Sequence, residues 1–75
     1  MMETKTIQIK GIKDQKDAQQ VVSGVKEVWG VRKAEIDVAT GEATVSYDDQ
    51  AASLQDIEQA ILDYGLELEE DHENL

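Results

Sequence analysis

The stretch Val31-Arg32-Lys33-Ala34-Glu35-Ile36-Asp37-Val38-Ala39-Thr40-Gly41-Glu42-Ala43-Thr44-Val45-Ser46-Tyr47-Asp48 decides the fold. Apolar side chains fall on every second position, first through Ala34, Ile36 and Val38, then through Ala43, Val45 and Tyr47. A period of two places one set of side chains on one face of a strand, so each run reads as a strand with one buried face. Ala39-Thr40-Gly41-Glu42 lies between them as a short glycine-containing turn. Two alternating runs joined this closely form an antiparallel hairpin.

Upstream of the hairpin the period changes. Ala18, Val21, Val22, Val25 and Val28 recur at spacings of three and four, the stripe of a helix spanning 14–28. Four valines lower its intrinsic propensity, so packing must hold it. Asp14 is a suitable N-cap, Asp17 stands where a capping box places its acid, and Gly30 is a candidate stop. Before this helix, Ile7 and Ile9 alternate with Thr6, Gln8 and Lys10 as a first strand that ends at Gly11. Ile12 then turns back toward the core.

Downstream, Ser53 and Asp56 form a second capping-box pair that opens a helix over 53–64. Leu54, Ile57, Ile61 and Tyr64 share its apolar face, and Gly65 ends it. Leu66 and Leu68 alternate with Glu67 and Glu69 as a short last strand. The order is βαββαβ: one α+β domain over 1–70, with a four-stranded antiparallel sheet and both helices on one face. The expected core is Ile7, Ile9, Ile12, Val21, Val22, Val25, Val28, Ile36, Val38, Val45, Leu54, Ile57, Ile61 and Leu68. Residues 71–75 read as an acidic tail.

Composition narrows the chemistry. Seventy-five residues allow one small domain, and the absence of Phe and Pro makes its core aliphatic. There is no cysteine, which removes disulfides, thiolate metal sites and thiol catalysis together. No apolar run approaches the ~20 residues of a membrane span. The N-terminus lacks the apolar core of a signal peptide, so a cytoplasmic protein is expected. All seven basic residues lie between Lys5 and Lys33, while thirteen of the seventeen acids lie from Glu35 onward. A net charge of −10 disfavours nucleic acid and anionic membranes as partners.

The order and punctuation of these segments resemble the heavy-metal-associated domain family of copper chaperones, over about residues 4–70. The matching pieces are Gly30-Val31, Ile36-Asp37-Val38, Gly41-Glu42-Ala43-Thr44-Val45, Tyr47-Asp48 and the helix end from Ile57 to Gly65. The resemblance implies a ferredoxin-like fold. In that family a Gly-Met-x-Cys-x-x-Cys loop joins the first strand to the first helix and binds the metal. Here the loop reads Gly11-Ile12-Lys13-Asp14-Gln15-Lys16-Asp17, so Asp14 and Asp17 stand at the positions of the two family cysteines. Leu66 stands where many bacterial members carry a tyrosine.

Two carboxylates suit a soft ion such as Cu(I) poorly and supply far fewer oxygens than Ca²⁺ takes. A helix N-terminus also favours the carboxylates themselves over an added cation. The plainer role of Asp14 and Asp17 is therefore to cap the first helix; holding a metal ion weakly is the alternative, and no other cofactor is expected. Lys10, Lys13 and Lys16 surround the loop, and the resemblance implies docking of such lysines on an acidic protein partner. A phosphate at the same helix start would meet both aspartates, and Gly11 alone is no phosphate loop. Trp29, off the valine stripe, is either a docking anchor or a ring lying over the helix–strand joint. His72 is the only histidine and lies in the acidic tail, which leaves no Ser-His-Asp arrangement in the body of the domain. Acylphosphatases share the fold class but use an arginine in the loop, and Arg32 opens the second strand instead. The expected protein is thus a non-enzymatic, monomeric protein-docking module; the alternative is a metal-ion carrier in heavy-metal transport.

Overall fold

The central hairpin forms as its period requires. In a computed structural model that describes residues 1–69, Val31–Asp37 and Glu42–Asp48 pair antiparallel, with Ala34 opposite Val45 and Ile36 opposite Ala43. We name these strands β2 and β3. The strand before them, Met2–Lys10 (β1), pairs with the other side of β3, setting Ile7 opposite Ala43 and Lys5 opposite Val45. A two-residue strand, Glu67–Leu68 (β4), closes the sheet beside Ile9 and Lys10. The sheet order is β2-β3-β1-β4, all neighbours antiparallel.

Two helices, Gln15–Lys26 (α1) and Leu54–Leu62 (α2), cover the sheet face that carries Ile7, Ile9, Ala34, Ala43, Val45 and Tyr47. Val21, Val25, Ile57 and Ile61 meet those strand residues in one buried cluster, with Ile57 and Ile61 wholly enclosed. The opposite face, with Thr6, Lys33, Glu35 and Thr44, is exposed. This is the expected ferredoxin-like βαββαβ arrangement.

The core differs from the expected set in detail. Ile12, Val22, Val28, Ile36, Leu54 and Leu68 pack on the cluster but are only half-buried, because they lie at the edges of the sheet and helices. Val38 falls in the turn after β2 and is half-buried outside the cluster. Ala18, Ala34, Ala43 and Ala52 take buried places instead. Small side chains let the helices approach the sheet closely, and their volume gives them little weight in a hydrophobicity pattern.

The helix starts follow the sequence. Ser53 accepts from the Asp56 N–H at 3.2 Å, and Asp56 accepts from the Ser53 N–H at 3.2 Å, a complete capping box. The helix stops are corrected. α1 is capped at Glu27, whose N–H bonds back to Gly24 and Val25, so its C′ residue is Val28 and Gly30 comes two residues too late for that place. Gly30 instead makes the joint into β2. It has φ +98°, its carbonyl accepts from the Asp48 N–H at 2.8 Å, and a Cβ there would lie 2.8 Å from the Ala51 Cβ. Only glycine meets both demands. Residues 71–75 and His72 lie outside the described residues.

Candidate functional site

The loop Gly11–Asp14 leaves the C-terminal end of β1 and enters α1 at its N-terminus. Asp14 is the N-cap, in an extended backbone conformation, and its carboxylate accepts from the Asp17 N–H at 2.9 Å. Asp17 returns the bond one residue earlier than a capping box would: its carboxylate accepts from the Lys13 N–H at 3.3 Å. The Asp14 carboxylate thus serves a backbone donor that the first turn of a helix leaves unpaired, and the Asp17 carboxylate ties down the loop residue just before the cap. Each retains one oxygen outside these bonds. Among the described residues, no three His, Asp or Glu side chains gather closely enough to hold a metal ion between them.

Around the loop, Lys10 ends β1, Lys13 lies in the loop and Lys16 stands in the first helical turn; all three are exposed. Among the described residues none of them makes an ion pair. A shallow depression beside them is lined by Gly11, Asp17, Gln20, Tyr64, Gly65 and Leu66, among others. Leu66 is half-buried and lies against Gly11.

Trp29 does not join this group. It is 83% exposed, but α1 separates it from the loop by about 18 Å of helix (twelve residues at ~1.5 Å each). It sits at the opposite end of the domain, beside Lys26, Gly30, Arg32, Asp48 and Ala51. The four expected docking residues therefore form two separate sets, three lysines at one end and one tryptophan at the other. The Met1 ammonium lies at that far end too, bonded to Asp48 at 3.2 Å and Asp49 at 3.1 Å. These bonds, that to Asp49 first, raise the ammonium pKa above its usual value. Asp48 is lowered from the ordinary carboxylate range, first by the Gln50 N–H and then by the ammonium.

Tyr64 is the residue the sequence misplaced. It stands past the last residue of α2, so the helical phase that puts Ile57 and Ile61 inward no longer governs it. The residue is 47% exposed, and its ring lies over α1 at Gly24, where any Cβ would collide with it. The close approach of Tyr64 thus accounts for a glycine at position 24. A glycine in the middle of an otherwise regular helix was the available signal.

Residues 6–67 match the model of the heavy-metal-associated domain. The chain belongs to this family. This heavy-metal-associated domain is 34% identical over 67 residues to the copper chaperone CopZ of Bacillus subtilis (strain 168), covering 89% of this chain and 97% of that protein. Its fold is also that of the CsoZ metallochaperone, with a TM-score of 0.86, 30% identity and coverage of 93% of this chain and 100% of the other. A copper binding domain from the P-type ATPase HMA7 superposes with a TM-score of 0.86 at 26% identity, covering 92% of each chain. The heavy-metal-associated domain described here has no cysteine anywhere in its sequence. Among its described residues no helix is long and apolar enough to cross a membrane.

Proposed function

We propose that this heavy-metal-associated domain is a non-enzymatic protein-docking module, in which Asp14 and Asp17 replace the family's two metal-binding cysteines. One observation carries the reading: both carboxylates are engaged by backbone N–H groups at the start of α1, between three exposed lysines. The aspartates shape the loop, and Lys10, Lys13 and Lys16 present a positive surface to an acidic protein. Electrostatic complementarity of this kind orients a partner on approach and raises the association rate. Relatives that are chaperones or ATPase domains support a cytoplasmic protein whose role is exercised on another protein.

A second reading is supported by those same relatives: transient carriage of a metal ion by Asp14 and Asp17, with further ligands supplied by the partner. The free oxygen on each carboxylate is the feature that favours it. Titration of the chain with Cu(I), and separately with Zn²⁺, while recording amide shifts tests the two. The docking reading expects residues 11–18 to stay unmoved up to millimolar metal. Saturable shifts confined to those residues would establish the carrier instead.

A further inference from the structure

β2 is an outer strand of the sheet, and among the described residues nothing pairs with its outer edge. The register shows which of its backbone groups are free. The Ile9 N–H donates to the Gly41 carbonyl at 2.8 Å, so Ala43, Val45 and Tyr47 turn their backbone bonds toward β1. Glu42, Thr44 and Ser46 turn theirs toward β2, where they meet Asp37, Glu35 and Lys33. The N–H and C=O groups of Ala34 and Ile36 therefore point out of the sheet, while Arg32 lies in the bulge between Val31 and Lys33. Such an edge is a template for a further strand.

The order of charges identifies the occupant. Lys33, Glu35 and Asp37 project on the open face, and Ala34 and Ile36 on the helix face. A second β2, laid antiparallel about Ala34, sets each Lys33 opposite the other copy's Glu35. It also sets Ala34 opposite Ala34 and brings each Ile36 to the other copy's bulge at Arg32. The neighbouring two-fold registers fail. Centring on Lys33 sets two lysines directly opposite and centring on Glu35 sets two glutamates directly opposite; one step further, Arg32 meets Arg32 or Glu35 meets Asp37 twice. Like charges directly opposite are destabilising, so charge alone selects the register about Ala34. Within one copy Lys33 and Glu35 meet at 3.5 Å with side chains 70% and 67% exposed, a weak surface pair that exchanges readily for a cross-strand one. Above the same edge, half-buried Val22 and Ile36 line a groove between α1 and β2 that a second copy would cover.

We propose that a second copy of this chain docks on the β2 edge, pairing β2 with β2 antiparallel about Ala34 into a continuous eight-stranded sheet. The two β1–α1 loops then lie toward opposite ends of the pair, both free. One strand edge with one apolar flank is a small contact beside the roughly 1,200 Å² at which standard interfaces begin, so the dimer forms at high protein concentration.

Sedimentation equilibrium of the full chain, from micromolar to millimolar, tests this with Lys33→Glu, Glu35→Lys and the double exchange. The wild type is expected to dimerise, each single reversal to weaken the dimer about tenfold, and the double exchange to restore it. Generic repulsion predicts otherwise: Glu35→Lys lowers the net charge of −10 and would strengthen association. An equimolar mixture of the two single variants should pair with each other, since every cross-strand contact then joins opposite charges. All the substituted positions are exposed, and circular dichroism checks that each variant is folded. A wild-type chain monomeric at millimolar concentration overturns the proposal, as does a dimer that Glu35→Lys strengthens or leaves unchanged.

Discussion

At the scale of single residues, Asp14 links sequence to site most directly. An aspartate before a helical stripe is a capping signal, and the folded chain places its carboxylate on the Asp17 N–H. Asp14→Ala should destabilise the domain by about 0.5–2 kcal/mol, read as a lowered urea midpoint with an unchanged slope. Asp48 gives a second test. Its carboxyl is lowered in the folded state by the Gln50 N–H and the Met1 ammonium, so the stability it contributes is present above the unfolded-state pKa of about 4. That contribution is lost as pH falls through the lower folded value. Asp48→Asn should therefore flatten the acid limb of the stability–pH curve. Because Asp48 also helps raise the Met1 ammonium pKa, the substitution should flatten the loss of stability as pH rises past about 8 as well. Denaturant unfolding at several pH values below about 5 would show an unchanged acid limb if these contacts do not persist in solution.

At the scale of elements, the two helices are held differently. α2 brings a full capping box and two wholly enclosed isoleucines; α1 brings a one-sided cap and a valine stripe that depends on packing. Ile57→Ala removes a branched side chain from the point where α2 meets the sheet. The expected cost is about 2–5 kcal/mol. A domain of this size has only about 4–11 kcal/mol in total at 0.05–0.15 kcal/mol per residue. Thermal unfolding should then shift far below the wild-type midpoint. A shift of only a few degrees would mean that α2 is not the keystone its burial implies.

For the whole molecule, charge is the property the fold rearranges most. Along the chain the bases come first and the acids follow, which suggests one strong dipole. In the fold, β4 returns beside β1 and sets Glu67 opposite Lys10, while α1 carries Lys26 and the start of β2 carries Arg32 to the far end. The lysine cluster at the loop is therefore local, and its effect on docking should be local too. Charge reversal at Lys13 and Lys16 should slow association with an acidic partner and weaken its salt dependence, while the same reversal at Lys26 and Arg32 should not. Stopped-flow association at two ionic strengths would distinguish them; equal effects from both pairs would exclude the loop end as the docking face. The loop itself can be tested by restoration. Asp14→Cys with Asp17→Cys supplies two thiolates beside a helix N-terminus, and is expected to bind Cu(I) far more tightly than the unmodified chain. Failure of that variant, folded and reduced, to bind Cu(I) in competition with a chelator would show that the loop backbone no longer suits the family's metal.

What the sequence determined by itself was everything that depends on neighbours along the chain. The period-two runs of β2 and β3, the stripe of α1, the Ser53–Asp56 box and the Asp14 cap rest on contacts spanning a few residues, and local chemistry fixes them. The order of those elements, with turns too short for other connections, then left few ways to build the sheet. The tertiary structure alone decided what depends on distance in space. Trp29 is sixteen residues past Lys13 in sequence, and only the direction of α1 shows that the two lie at opposite ends. Gly24 weakens α1 when judged along the chain alone, and only the fold brings Tyr64 over it. The free edge of β2, and the self-complementary order of Lys33 and Glu35 along it, exist only once β3 has claimed the other side of that strand. Backbone groups are alike in every residue, so which of them remain unpaired is settled by the pairing of strands and not by the identity of side chains.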